Sequence, residues 1–395
     1  MVKDIFNIIK SGTEEIIFEN DLFDILLNKD ICVKVGFDPT SSNLHLGHLV
    51  LLNKLKQFQS FGYKVNIIIG DFTAMIGDPS GRNKSRNQLT KDEILINYSN
   101  YENQIFKVLN SDYTKFLFNS NWFNDFSLNK FLEISSMFTL SRVLERNDFK
   151  HRYNNNIPIG VNEFLYPFMQ AYDSVVIGSN IEIGGVDQKF NLLFARELQK
   201  KFFQKPQVLI MLPLLKGIDG VYKMSKTANN CINILDNSYD IFCKIMSIPD
   251  ILMRDYFIYL GFYSNVDFDN IFIKADNKME LKFDLAIKIV SMLYSSKDAY
   301  RSKEKFVSQF CNRDIPNDLG SIDIFVNDNE ISVLELLKRS NFVCSISEAR
   351  RMIKQKSVKL NGEVIENKNL FLKCNDSYIL SIGRKKIFKI FLKKI

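Results

Sequence analysis

The chain has 395 residues, too many for one hydrophobic core, so two or three domains are expected. Its 46% hydrophobic and 25% charged residues are ordinary for a globular protein. No run reaches the ~18 apolar residues of a membrane span and the N-terminus has no apolar signal stretch, so a cytoplasmic location with no membrane partner is expected. Charge is unevenly spread. Residues 331–395 carry 15 Lys and Arg against 5 Asp and Glu, while the preceding 330 residues carry 37 against 40. That asymmetry suggests a polyanion partner for the C-terminal piece. Six cysteines occur without a Cys-x-x-Cys pair, which argues for free buried thiols over a zinc site.

In chain order, Met1–Phe6 opens an amphipathic segment. Cys32–Phe37 reads as a buried strand, with Asp38-Pro39-Thr40-Ser41-Ser42 as its turn. From Leu44 the apolar spacing turns helical through Leu49, Leu52, Leu55 and Phe58. Val65–Gly70 is a second strand, and strand–helix–strand predicts a parallel nucleotide-binding sheet. A polar, basic loop follows at Gly77–Lys84, and residues 82 to about 160 look mainly helical, an insertion between two halves of the sheet. The sheet resumes at Ile181–Gly185, followed by a helix from about Asp187 past Leu198 and a strand at Val208–Leu212. Residues 233–311 have helical periodicity, and 312–330 is polar and acidic, a linker. The expected domains are thus a Rossmann-like 1–232 with an insertion at about 82–160, a helical 233–311, and a small α+β domain at 331–395.

Four clusters carry candidate chemistry. His45 and His48 lie three apart at a helix start, flanking Gly47, so both rings can face one side of a turn whose backbone N–H groups and helix dipole favour phosphate. Satisfied surface histidines or a pair of metal ligands are the alternatives, and the absence of a nearby third His or a Cys disfavours the metal. Lys223-Met224-Ser225-Lys226-Thr227 is a doubly basic loop, and lysine point charges suit a departing pyrophosphate. A solvated basic loop is the plainer reading. Tyr166, Gln170 and Asp173 share one helical stripe among apolar neighbours, costly to bury unless a ligand or a network satisfies them. Gly184-Gly185-Val186-Asp187-Gln188 ends a strand where a ribose or a carboxylate could dock, and Asp78 is placed to receive an ammonium.

Taken in order, Gly36-Phe37-Asp38-Pro39-Thr40, Leu44–His48, Gly77–Gly81, Tyr166/Gln170/Asp173, Gly184–Gln188 and Lys223–Thr227 resemble the class I aminoacyl-tRNA synthetases, and within them the bacterial-type tyrosyl family. Ile346–Arg351 and Val358–Gly362 resemble the S4 RNA-binding module. The resemblance implies that L-tyrosine is activated by ATP, bound with Mg2+ as a substrate complex and with no protein-bound metal, and then passed to tRNA(Tyr). It also implies a homodimer and an anticodon-arm-binding role for the helical domain. Carried over by position, Thr40, His45, Lys223, Lys226 and Thr227 would hold the β- and γ-phosphates. His48, Gly185 and Asp187 would hold adenosine, with Gly36, Asp38, Gly47, Met224 and Ser225 completing the ATP site. Asp78, Tyr166 and Gln170 would bind the ammonium, Asp173 the phenolic hydroxyl, and Gln188 would lie near the carboxylate. Arg350, Arg351, Lys354, Lys356 and Lys359 would face RNA. The better-studied branch carries Tyr and Cys where this chain has Lys34 and Val35. That Tyr helps bind the hydroxyl, which leaves Asp173 to read it alone or with Lys34, and a Lys beside Asp173 would keep it ionised. The rivals are a tryptophanyl-tRNA synthetase, a His-x-Gly-His nucleotidyltransferase, and a non-catalytic RNA-binding protein.

Overall fold

A computed structural model describes residues 2–394 except 29, 81–88, 275–277, 312–320, 341 and 383–385. They divide into two units, Met1–Tyr300 and Arg301–Ile395. The first unit opens with α1 (Val2–Lys10), β1 (Glu15–Ile17) and α2 (Glu19–Leu26). The sheet then takes β2 (Val33–Phe37), α3 (Leu46–Ser60), β3 (Val65–Ile69), α4 (Thr73–Ile76), α5 (Lys91–Ile105), β4 (Thr114–Phe118) and α6 (Ser120–Phe123). After α7 (Leu128–Ser136), α8 (Leu140–Leu144) and α9 (Asn147–Asn154) come α10 (Val161–Ile177), β5 (Ile181–Gly185), α11 (Lys189–Lys201) and β6 (Val208–Leu212). The unit ends in helices α12 (Ser238–Met246), α13 (Met253–Tyr259), α14 (Asn265–Lys274), α15 (Lys278–Leu293) and α16 (Ser296–Phe306), the last running into the second unit.

The strands run β1-β6-β5-β2-β3-β4, parallel throughout except β1 on β6. β3 and β6 are almost wholly apolar because helices cover both faces of a parallel sheet. Chain order reverses between β2 and β5, and their ladder holds only two pairs, Val33 with Ile181 and Lys34 with Glu182. Beyond Lys34 the carboxyl ends of these two strands are free of each other. Doubly wound sheets bind ligands at such a point.

In the first unit two strands differ from the sequence expectation. β4 adds an edge strand within the stretch expected to be a helical insertion, because Lys115, exposed, and Phe116 to Phe118, half-buried, give no clean alternation. β1, three residues long, is too short to announce itself.

In the second unit β7 (Ser321–Val326), β8 (Glu330–Ser332), α17 (Val333–Arg339), α18 (Ile346–Lys354), β9 (Val358–Leu360), β10 (Glu363–Val364), β11 (Phe371–Lys373), β12 (Ser377–Ile382) and β13 (Lys386–Lys394) follow one another. Ser332 and Ser345 cap the two helices by accepting from the backbone N–H of Glu335 and Glu348. Val333, Leu336, Ala349, Ile353, Leu380 and Ile390 form the core. The expected linker needs correction: 312–320 lies outside the described residues, but 321–326 is β7, paired parallel to β13. Ile324 and Val326 point into the core while Asp323 and Phe325 face out, and the polar outer face disguised the strand.

Candidate active site

His45 is the residue before the first turn of α3, in extended conformation. Its backbone N–H donates to His48 Nδ1 at 3.1 Å, and the two rings lie 4.0 Å apart. Because Nδ1 of His48 accepts, its proton sits on Nε2, which becomes a donor. Burial, with the positive charge of Lys226 nearby, pushes His48 down to about 4 and His45 to about 2, so both are neutral at physiological pH. His45 Nδ1 is buried without a hydrogen-bond partner in the described structure, which leaves it open to a ligand group or a water. Gly47 lets the His45 ring lie close, since a Cβ there would stand 3.0 Å from it and the ring would have to shift.

The lysine loop comes to this turn through backbone pairing. Leu46 N–H donates to Ile232 O and Ile234 N–H to Leu44 O, both at 3.0 Å, with His45 bridged to Asn233. Residues just after the loop are thereby stitched to residues just before the helix. The loop itself is shaped by Asn230, which is 2% exposed. Its Oδ1 accepts from Ser225 N–H at 2.8 Å and its Nδ2 donates to Asp219 at 2.7 Å. Gly217 makes room for it, since a Cβ there would fall 2.2 Å from Asn230 Cγ. Met224 is buried, whereas Lys223 and Thr227 are exposed and Ser225 and Lys226 are partly so. Lys223 Nζ pairs with Asp187 at 3.0 Å.

At the β2/β5 reversal lies a cavity of about 320 Å³. Its lining includes Lys34, Gly36, Asp38, Thr40, His48, Asp78, Tyr166, Gln170, Asp173, Gly185, Asp187, Gln188 and Lys223. His45, Gly47, Met224, Ser225, Lys226 and Thr227 are outside the lining, in the turn and the loop beside it. Tyr166 donates to Asp38 at 2.9 Å, and Asp38 also accepts from Thr73 at 2.8 Å. Asp78 accepts from Ser80 N–H at 2.9 Å and from Gln188 at 2.7 Å, with Arg146 at 3.4 Å. Arg146, 4% exposed and braced by Asp148 at 2.8 Å, and Asn191 complete this network. Neither stands out in the sequence, since both sit beside or within helices with no motif around them.

Lys34 corrects an expectation. Its ammonium is 2.9 Å from Glu182 and donates to Ser174 at 2.6 Å, all three side chains being buried. Glu182 also accepts from Ser174 at 2.8 Å and from Gln207. Lys34 is therefore committed to Glu182 and does not pair with Asp173. Asp173 is held instead by Trp122 Nε1 at 2.9 Å and Asn119 Nδ2 at 3.4 Å. Burial outweighs Lys34 and these donors and pushes the Asp173 carboxyl up to about 7, so it is not fixed in the ionised form as expected. Sequence reasoning missed Trp122, although its being the chain's one tryptophan was an available signal.

In the second unit Arg350, Arg351, Lys354 and Lys356 are exposed and Lys359 is half-buried. Arg351 lies 3.8 Å from Glu348, and Lys356 pairs with Glu366 at 2.7 Å.

Residues 27–313 match the family of tRNA synthetases class I (W and Y), and residues 333–377 match the S4 domain. The chain is 42% identical over 389 residues to the tyrosine–tRNA ligase of Nitrosomonas europaea, covering 98% of this chain and 95% of that one. It is 43% identical to the tyrosine–tRNA ligase of Aquifex aeolicus, covering 97% of each. Among solved structures, a C-terminally truncated mitochondrial tyrosyl-tRNA synthetase of Aspergillus nidulans superposes with a TM-score of 0.65 at 18% identity, covering 78% of this chain and 99% of that one. The tyrosyl-tRNA synthetase of Archaeoglobus fulgidus complexed with L-tyrosine gives 0.63 at 22%, covering 76% and 99%. At those identities the likeness shows the shared fold.

Proposed function

The chain belongs to the class I tRNA synthetases of the tryptophan and tyrosine group, and from that premise we infer how its crevice does the work of a tyrosine–tRNA ligase. The enzyme activates L-tyrosine with ATP to tyrosyl-adenylate, releasing pyrophosphate, and then transfers tyrosine to the 3′ end of tRNA(Tyr). The observation that supports the residue assignment is the pairing of 44–46 with 232–234, which brings the His45–His48 turn beside the segment that follows the lysine loop.

ATP enters as its magnesium complex. Thr40, His45, Lys223, Lys226 and Thr227 take the β- and γ-phosphates, and His48, Gly185 and Asp187 take the adenosine, beside Gly36 and Asp38. Lys223 must leave Asp187 to do so. That pair is half exposed and costs little to break. The neutral His48 Nε2–H gives a directed donor without fixing a charge that product release would have to overcome. Asp78, Tyr166 and Gln170 take the ammonium, and Gln170 Oε1, buried without a partner, is an acceptor in waiting. Gln188 orients the carboxylate that attacks the α-phosphate, and Asp173 accepts the phenolic O–H. Catalysis is positioning plus stabilisation of charge on the departing pyrophosphate.

Residues 1–232 form the catalytic domain, 233–311 take the anticodon arm, and 331–395, with β7, bind RNA through Arg350, Arg351, Lys354, Lys356 and Lys359. The protein is a cytoplasmic homodimer in this reading. Leu128, Leu132 and Leu140, exposed on the insertion, support a partner surface there. No described helix is long and apolar enough to cross a membrane. Amino-acid-dependent exchange of labelled pyrophosphate into ATP tests the assignment. Exchange with Tyr, absent with Trp and weak with Phe, is expected, and equal exchange with Phe removes Asp173 from its role.

A further inference from the structure

The turn that carries Thr40 and leads into His45 has no regular structure of its own. Residues 38–44 belong to no helix or strand. Bonds within the turn are short in range, from Thr40 N–H to Asp38 O at 2.7 Å and from Ser41 Oγ to Asn43 O at 3.5 Å. Two side-chain amides of α5 reach across to it. Asn97 Nδ2 donates to Pro39 O at 3.0 Å. Gln104 Nε2 donates to Ser42 O at 3.1 Å, and Gln104 Oε1 accepts from Leu44 N–H at 2.7 Å. These two residues are seven apart in the chain, so one face of the helix presents both. Gln104 is fully buried, a costly place for an amide unless its polar groups are satisfied. Its Nε2 also donates to Asn100 O at 2.8 Å, one turn back, which pins the side chain to its own helix.

We propose that Asn97 and Gln104 are positioning residues for adenylate formation, which hold the 39–44 turn so that Thr40 and His45 meet the departing diphosphate. This rests on Thr40 and His45 taking the phosphates. A turn outside the ladders takes its shape from the few bonds that reach it. Groups that stabilise charge as it develops lose much of their effect when displaced by about an ångström. The Gln104 amide grips the chain at two points in opposite senses, one as donor and one as acceptor. A single planar group thus fixes both how far the turn stands from α5 and how it is rotated. Leu44, held at its N–H by Gln104, accepts at its C=O from Ile234 N–H at 3.0 Å. The turn is thereby tied both to α5 and to the segment after the lysine loop. Neither Asn97 nor Gln104 lines the cavity, so their effect on the reaction passes through the turn. Loss of the brace slows the chemical step and spares tyrosine binding. A residue that only filled the core would cost stability and leave the folded enzyme's rate alone.

Single-turnover formation of enzyme-bound adenylate, with tyrosine affinity from equilibrium dialysis, tests it. Gln104→Met keeps the length of the side chain and removes both polar groups. Its rate should fall about 30-fold while tyrosine affinity stays within about two-fold. Asn97→Ala removes one bond from a half-buried position and should slow the step about five-fold, again with tyrosine affinity kept. In a Thr40→Ala/His45→Ala background each loss should shrink to under about two-fold, because the groups being positioned are gone. Unchanged rates in both variants overturn the proposal. So do losses of full size in that background, or tyrosine affinity falling in step with rate. If Thr40→Ala/His45→Ala by itself forms adenylate at the normal rate, the phosphate reading beneath falls and takes the proposal with it. Should Gln104→Met not fold, Asn97→Ala decides, and a rate equal to that of the unaltered protein rejects the brace.

Discussion

Removing Lys34 should unbalance the floor of the tyrosine site in a way that removing both partners does not. Lys34 and Glu182 have side chains 1% and 2% exposed, with Nζ 2.9 Å from Oε1. Lys34→Met leaves a buried carboxylate, and breaking a buried pair on one side costs about 3–5 kcal/mol. Ser174 at 2.8 Å and Gln207 still donate to Glu182, so the lower end, about 3 kcal/mol, is expected. Lys34→Met/Glu182→Gln removes both charges and keeps an amide oxygen for those donors, and it should lose only about 1 kcal/mol. Because Lys34 favours ionised Asp173 and Glu182 opposes it, the single variant should also raise tyrosine KM, and the double should bring it back toward the starting value. Urea unfolding of the three proteins, with KM from pyrophosphate exchange at one pH, reads both effects. A single variant that costs under about 1 kcal/mol, or a double as unstable as the single, would refute the reasoning.

If Lys226 holds the phosphates as proposed, Lys226→Ala should lower pyrophosphate exchange by about 100-fold while tyrosine affinity, from equilibrium dialysis, stays nearly constant. Arg350→Glu with Lys354→Glu should leave exchange untouched and weaken tRNA charging. The logarithmic salt slope of tRNA binding should become shallower by roughly one for each phosphate no longer neutralised. The histidines predict an acid-sensitive fold. Unfolded imidazoles take protons near 6.5, whereas folded His48 and His45 resist down to about 4 and about 2. The stability they contribute is therefore present above 6.5 and lost as pH falls from there toward 4. Asp173 works the other way, its raised carboxyl losing stability as pH rises from 3.8 toward 7. Melting temperatures of His45→Asn/His48→Asn should accordingly fall less between pH 6.5 and 4 than those of the unaltered protein, and parallel curves would reject the neutral-imidazole account.

Much was legible along the chain. β2, α3, β3, β5 and β6 all follow from apolar period and turn chemistry, and the His turn, the lysine loop and the Tyr166/Gln170/Asp173 stripe are local patterns. So was the basic C-terminal piece, because charge is additive along a sequence. β4 was not, since its half-buried faces give no clean alternation, nor was β7, whose short alternation at Ser321–Val326 adjoins the polar, acidic stretch expected to be a linker.

What only the tertiary structure decided is partnership. Lys34 had two carboxylates within reach, Asp173 of α10 and Glu182 of β5, and spacing cannot rank them. Parallel pairing of β2 with β5 sets Lys34 level with Glu182, and in a buried site the cation goes where the register holds the closer charge. The same holds for Trp122, Asn119, Arg146 and Asn230, which reach their partners in the site from 5 to 68 residues away. A side chain's composition is written in the chain, but the neighbour that sets its charge state is chosen by packing.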